Sequence, residues 1–228
     1  MKIFSIVSIL ALVLGTAPLA LGEDSNSATS PEDSSSLKYV EFSQMGNPAE
    51  VLEVKVDNAR ALQSGEIRVK VLATPIHPSN LLQISGMYAI APELPSTPGS
   101  EGVGQVIETS AEVTHLAVGQ RVLLVGGGTW RDQIVAPAAS FIPLPDLGTP
   151  SSEMIEQLSM TAVNPLSALL MLTSFVDLKE GDWIVHSPAH SAVGALIIQL
   201  ATHRGVKTVK VVRRAGFADN LRPKSGVG

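Results

Sequence analysis

Residues 181–214 read GDWIVHSPAHSAVGALIIQLATHRGVKTVKVVRR. A short apolar run, Trp183-Ile184-Val185, leads into small residues from Ser187 to Ser191. An apolar stretch of helical length follows through Thr202, and a β-branched run then ends in Arg213 and Arg214. Strand, tight turn, helix and second strand make one βαβ unit of a parallel sheet. In such units the first turn and the helix N-terminus behind it form a binding place for a dinucleotide pyrophosphate. A complete doubly wound domain needs about six strands, and only two are legible before Gly228. The expectation for 151–228 is therefore an incomplete parallel α/β domain.

Upstream the period is different. Lys38-Tyr39-Val40-Glu41-Phe42, Val51 to Val56 and Gly65 to Leu72 alternate apolar and polar residues, the signature of half-buried strands. Gly46-Asn47-Pro48 reads as the turn between the first two. Further strands are expected over 99–108, 119–125 and 129–135, with an extended exit at 141–145. Gly126-Gly127-Gly128 is the turn before the strand at 129. A short helix is expected from Pro78, and Pro92, Pro95 and Pro98 enforce an irregular crossing after it. The pattern predicts a β-rich, barrel-like domain over 37–150. From Ser151 apolar residues recur at helical spacing over 151–158 and 165–175. No internal repeat is present.

The chain has 228 residues, 45% of them hydrophobic, a mean hydropathy of +0.26 and a net charge of −5. This describes a globular chain with ample core, and gives no basis for nucleic-acid or anionic-membrane binding. It has no cysteine, which excludes disulfides, thiolate zinc sites and cysteine nucleophiles. Residues 1–22 carry Lys2, an apolar run and small residues before Glu23 and Asp24, the layout of a secretory signal peptide. The apolar run is shorter than the roughly 20 residues needed to span a bilayer. Residues 23–36 are Ser- and acid-rich and read as a disordered linker. These features point to the secretory pathway, with the mitochondrion as the alternative.

Several residues are candidates for a site. Ser191-Ala192-Val193-Gly194 supplies the nucleotide turn, with an ordinary helix cap at Ser191 as the competing reading. Arg213 and Arg214 lie past the second strand, where an acid would hold a ribose 2′-hydroxyl and an arginine accommodates a 2′-phosphate. Two arginines and no acid favour NADPH. Asn164, before Pro165, is either an amide for the nicotinamide or ribose or a helix cap.

The order of these segments, with His77-Pro78-Ser79-Asn80, Gly86-Met87-Tyr88, Pro92-Glu93-Leu94-Pro95, Gly99-Ser100-Glu101-Gly102-Val103-Gly104 and Val163-Asn164-Pro165, resembles the medium-chain dehydrogenase/reductase superfamily. The similarity is to its zinc-free branch of quinone oxidoreductases and mitochondrial-type 2-enoyl thioester reductases. The resemblance implies a GroES-like β-barrel domain followed by a Rossmann-type domain, and NADPH-dependent reduction of the C2=C3 bond of a 2-enoyl thioester. A quinone is the alternative substrate, and a non-catalytic secreted binding protein or gene fragment the alternative to an enzyme. The resemblance also implies a homodimer, which the absent half of the nucleotide domain puts in doubt. In the enoyl reductases the tyrosine matching Tyr88 stabilises an enolate or supplies its proton; the competing reading is a half-buried packing tyrosine.

The chain departs from the pattern in carrying His77 and Asn80 where the family has asparagine and aspartate, and Ala192 where a glycine is frequent. Ser100-Glu101 stands where a zinc site would have His-Glu. His77, His115, His186, His190 and His203 show no paired ligand spacing, so no metal is expected. Glu101 reads as a buried, hydrogen-bonded structural residue.

Overall fold

The computed structural model describes residues 36–218 and 221. The expected signal peptide over 1–22, and the linker over 23–36 apart from Ser36, lie outside the described residues. The chain divides into two compact units between Ala162 and Val163. It is a mixed α/β chain with an antiparallel β-rich part first and a parallel βαβ part second.

In the first unit, β1 (Ser36–Glu41) pairs antiparallel with β2 (Glu53–Asn58). Between them lies α1 (Pro48–Val51), where the sequence pattern places a turn and an earlier start to the second strand. The physical reason is local. Asn47 Oδ1 accepts from the Ala49 N–H at 3.2 Å and Pro48 fills the first helical position, so Val51 and Leu52 are drawn into a helix and its cap.

The main sheet is built from β3 (Glu66–Ala73), β4 (Glu101–Thr109), β5 (Arg121–Val125), β6 (Gln133–Pro137) and β7 (Phe141–Pro143). Its order is β6-β3-β4-β5-β7, with every neighbouring pair antiparallel. The strand expected over 129–135 starts later. Thr129 turns inward, its Oγ1 donating to the Glu101 carbonyl at 3.0 Å, and Arg131 forms an isolated bridge with Tyr39.

Ile67, Val69, Val106, Val122, Leu124 and Phe141 bury one face of the sheet. On the other face Val103, Leu123 and Leu144 pack with Leu158. Thus β5, whose Val122-Leu123-Leu124 is apolar without alternation, is buried on both faces. Leu158 belongs to α3 (Ser152–Ser159), which the Ser151 hydroxyl caps by accepting from the Met154 N–H. The change of sequence period at 150/151 and the structural division after Ala162 differ because α3, although helical, spends its apolar face on this sheet.

The second unit holds α4 (Val163–Thr173), β8 (Trp183–His186), α5 (Ala192–His203) and β9 (Lys207–Lys210). Strands β8 and β9 pair in parallel, Trp183 opposite Lys207 through His186 opposite Lys210. Helix α5 packs on α4 and on β9. Its buried residues Gly194, Ile197 and Ala201 fall three, four and seven apart, one helix face, with Leu200 beside them. Among the described residues no helix is long and apolar enough to cross a membrane.

Candidate functional site

The turn after β8 is shaped by one glycine and one serine. Ser191 caps α5: its Oγ accepts from the Gly194 N–H at 3.0 Å and donates to the Pro188 carbonyl at 2.9 Å. A Cβ on Gly194 would stand 2.6 Å from the carbonyl oxygens of both Pro188 and Ala189. The glycine therefore lets the helix start close against the backbone of the turn. The Ala189 N–H donates to Val211 O at 3.0 Å, and the Val211 N–H to His186 O at 3.1 Å, fastening the turn to the chain after β9. The N–H groups of Ala192 and Val193 have no acceptor among the described residues. These are two of the free donors that every helix N-terminus carries, at the positive end of its dipole.

Two histidines flank the turn. The ring of His190 stacks on Phe217 with centroids 4.2 Å apart and planes 1° from parallel. Burial, and secondarily the Lys210 charge, hold the pKa of His186 below the ordinary histidine value. Arg213 and Arg214 are exposed in the segment beyond β9, immediately before a single 3-10 turn over Ala215–Phe217. Asn164 is half-buried and is the second residue of α4. It therefore lies inside that helix and does not cap it. In this unit the structure brings Ser191, Ala192, Val193 and Gly194 together, and puts Arg213 and Arg214 on the chain following the same strand pair.

Tyr88 belongs to the other unit. It is 45% exposed, on the segment that follows α2 (Pro78–Ile84), with Met87 and Ile90 exposed beside it. Tyr88 is thus about half-exposed and lies outside the buried core of the unit.

Glu101 in the same unit is fully buried in β4. His77 Nε2 donates to its Oε1 at 2.7 Å, and the Ala162 N–H donates to its Oε2 at 2.8 Å. Its carbonyl accepts from Thr74 Oγ1 at 2.8 Å and Thr129 Oγ1 at 3.0 Å. The His77 N–H donates to Asn80 Oδ1 at 3.0 Å, and the Asn80 amide donates to Ser100 Oγ at 2.7 Å. The two sequence departures at positions 77 and 80 are therefore employed, one as a partner for a buried carboxylate and one as a donor that an aspartate would lack. Glu101 is buried and hydrogen-bonded, as its place in the sequence suggests. His77 as its partner was not legible, since the pair is separated by 24 positions. Among the described residues no three His, Asp or Glu gather as a metal cluster.

Trp130 donates from Nε1 to the Pro75 carbonyl at 3.2 Å and lines a cavity of about 380 Å3 with Tyr39, Val54, Thr74, Ile76 and Arg131. It therefore both packs against the sheet unit and lines a cavity.

Comparison with known proteins agrees with this arrangement. Residues 63–146 match the alcohol dehydrogenase GroES-like domain family. The mitochondrial enoyl-[acyl-carrier-protein] reductase of Rattus norvegicus is 34% identical over 194 residues, covering 84% of this chain and 51% of the relative. The protein of the same name from Caenorhabditis elegans is 36% identical over 178 residues, covering 77% of this chain and 49% of the relative. Among solved structures, a putative NADPH:quinone reductase from Bacillus thuringiensis superposes with a TM-score of 0.73 at 33% identity, covering 82% of this chain and 55% of that one. The mitochondrial 2-enoyl thioester reductase Etr1p/Etr2p heterodimer from Candida tropicalis gives 0.72 at 30% identity, covering 82% and 57%. A complex of Etr1p with NADP and crotonyl-CoA gives 0.71 at 30% identity, with the same coverage. The chain spans about half the length of the curated relatives it matches.

Proposed function

We propose NADPH-dependent reduction of the C2=C3 bond of a 2-enoyl thioester as the function of this chain, which belongs to the zinc-free branch of the medium-chain dehydrogenase/reductase superfamily. The observation that carries the reading is the start of α5. There a Cβ at Gly194 would fill the space against the turn carbonyls, and the Ala192 and Val193 N–H groups stand without an acceptor among the described residues. Such a cradle suits a pyrophosphate. Ser191, Ala192, Val193 and Gly194 are read as its contacts. Arg213 and Arg214, exposed and with no acid beside them, are read as the contacts of a 2′-phosphate, and Asn164 as a contact of the nicotinamide or ribose. The domain reading is a GroES-like domain over 37–150 and a nucleotide-binding domain over 151–228.

When bound, NADPH supplies a hydride to C3 of the substrate. What remains at C1–C2 is an enolate, which needs a hydrogen-bond donor at the thioester oxygen and a proton at C2. Tyr88, exposed and carrying a phenolic O–H, is assigned that work. A quinone is the second substrate reading, favoured by the Bacillus thuringiensis neighbour. The mitochondrial names of the relatives favour the mitochondrion over the secretory pathway as destination. The Etr1p/Etr2p heterodimer favours a two-subunit assembly.

The test is thermal unfolding of the chain with NADPH and with NADH, followed by absorbance at 340 nm with crotonyl-CoA. A ligand that binds only the folded state must raise the transition temperature. A larger shift with NADPH, lost in an R213A/R214A variant, and oxidation of NADPH by crotonyl-CoA are the expected results. A cooperative transition that neither cofactor moves would overturn the reading.

A further inference from the structure

Arg131 borders two cavities in the first unit. On one side its guanidinium lies over the Tyr39 ring, with Cζ 5.8 Å from the ring centroid. On the other, its Nη2 would stand 3.4 Å from a Cβ on Gly128, so it lies on the open side of that glycine. Its Nε is buried without a partner, and among the described residues none of its five donors meets an acceptor. The neighbouring carboxylate acts on it through charge alone, without a hydrogen bond: Asp132 Oδ2 accepts from the Lys38 N–H at 3.0 Å, and Oδ1 has no hydrogen-bond partner. Arginine stays protonated in proteins, so here is a partly buried cation whose donors meet no hydrogen-bond acceptor among the described residues. Burial pulls its pKa below the ordinary arginine value. Leaving such a group unpaired is costly, and an incoming anion would offset that cost.

The second cavity is the place for it. It has a volume of about 460 Å3 and is lined by Gln83, Ser96, Thr97, the glycine triad 126–128 and Arg131, with no carboxylate. Gly126, Gly127 and Gly128 have φ of 100°, 105° and 69°, backbone that other residues rarely adopt. They leave the wall bare of side chains, so an oxyanion can approach peptide N–H groups as well as the guanidinium. Gln83 lies in α2, while Pro95, Ser96 and Thr97 lie at the far end of the segment carrying Tyr88. The two ends of the Tyr88 segment therefore both border this cavity.

We infer that Arg131 and the glycine triad 126–128 bind the phosphate ester of the acyl carrier's pantetheine arm. The inference rests on the thioester reading above and supplies the missing half of its substrate recognition. A guanidinium offers paired donors to phosphate oxygens, and the space beyond a single phosphate leaves room for the arm to leave toward Tyr88.

The test uses the whole chain without NADPH and reads tryptophan fluorescence, since Trp130 adjoins the site. The probes are 4′-phosphopantetheine and pantetheine, which differ by one phosphate. Tenfold or tighter binding of the phosphorylated probe is expected, falling as salt rises. R131M should erase the preference while leaving pantetheine unchanged, and R131K should keep part of it. Equal affinity for the two probes in the unaltered chain overturns the inference, as does a preference that survives in R131M. Should R131M not fold, the probe comparison in the unaltered chain and in R131K decides. Coenzyme A and its 3′-dephospho form distinguish the sources: equal binding supports the arm phosphate, whereas a preference confined to the 3′-phosphate overturns it. Failure of the reductase reading leaves this preference intact, and failure here leaves the NADPH-dependent thermal shift intact.

Discussion

Gly194→Ala tests the account of the α5 turn with a sign that ordinary helix chemistry opposes. Within a helix, glycine to alanine gains about 1 kcal/mol of propensity. Here the new methyl carbon would stand 2.6 Å from two carbonyl oxygens, roughly 1 Å inside normal carbon contact. Both oxygens belong to backbone fastened to β8 and to the segment after β9, so neither yields as a flexible side chain would. Overpacking of this kind costs about 1–3 kcal/mol. Because backbone must move, the upper half of that range applies, and about 1–2 kcal/mol of net destabilisation remains after the propensity gain. Gly216→Ala is the control, since nothing lies within 4 Å of its Cβ position. Urea denaturation followed by far-UV circular dichroism, with the slope held common, measures both. A Gly194→Ala chain as stable as the parent or more stable would refute the close approach of helix and turn. It would also remove the cradle on which the pyrophosphate reading stands.

Replacing Glu101 by Ala leaves His77 and the Ala162 N–H without their buried acceptor and should cost about 1–3 kcal/mol for each donor left unmet, read by chemical denaturation; H77Q, E101A and the double variant should show a double loss smaller than the sum. Glu66 is held at a pKa of about 2, chiefly by its hydrogen bonds from Arg60 and secondarily by the Gln63 N–H. Its folded value is depressed, so its stabilisation is present above the unfolded carboxylate range and disappears as pH falls from about 4.5 through 2; a melting series over that range should show an acid limb that flattens in E66Q. Tyr88→Phe should lower kcat for crotonyl-CoA by about 10²–10⁴-fold with KM little altered, and a change confined to KM would contradict proton donation.

What the sequence by itself determined is local and periodic. The alternation at Ile67 and Val69 gave β3, the unbroken Val122-Leu123-Leu124 run gave a strand buried on both faces, and Ser191 with Gly194 gave a capped helix behind a tight turn. Even the departures at His77 and Asn80 were visible as departures. Each of these is set by neighbours a few residues away, through pleat, helix pitch or a capping hydrogen bond. Local reasoning erred where a competing local device won, as when Asn47 and Pro48 started α1 in place of a strand. Only the tertiary structure decided which distant groups meet. The order β6-β3-β4-β5-β7 brings Thr74 and Thr129 to the Glu101 carbonyl. The start of α2, tied by Asn80 to Ser100, sets His77 against the Glu101 carboxylate, and the chain after α3 returns to supply the Ala162 N–H. The same folding leaves the Arg131 guanidinium beside the glycine triad with no hydrogen-bond acceptor among the described residues. No periodicity encodes such pairings, because they follow from register and packing between segments that share only their burial.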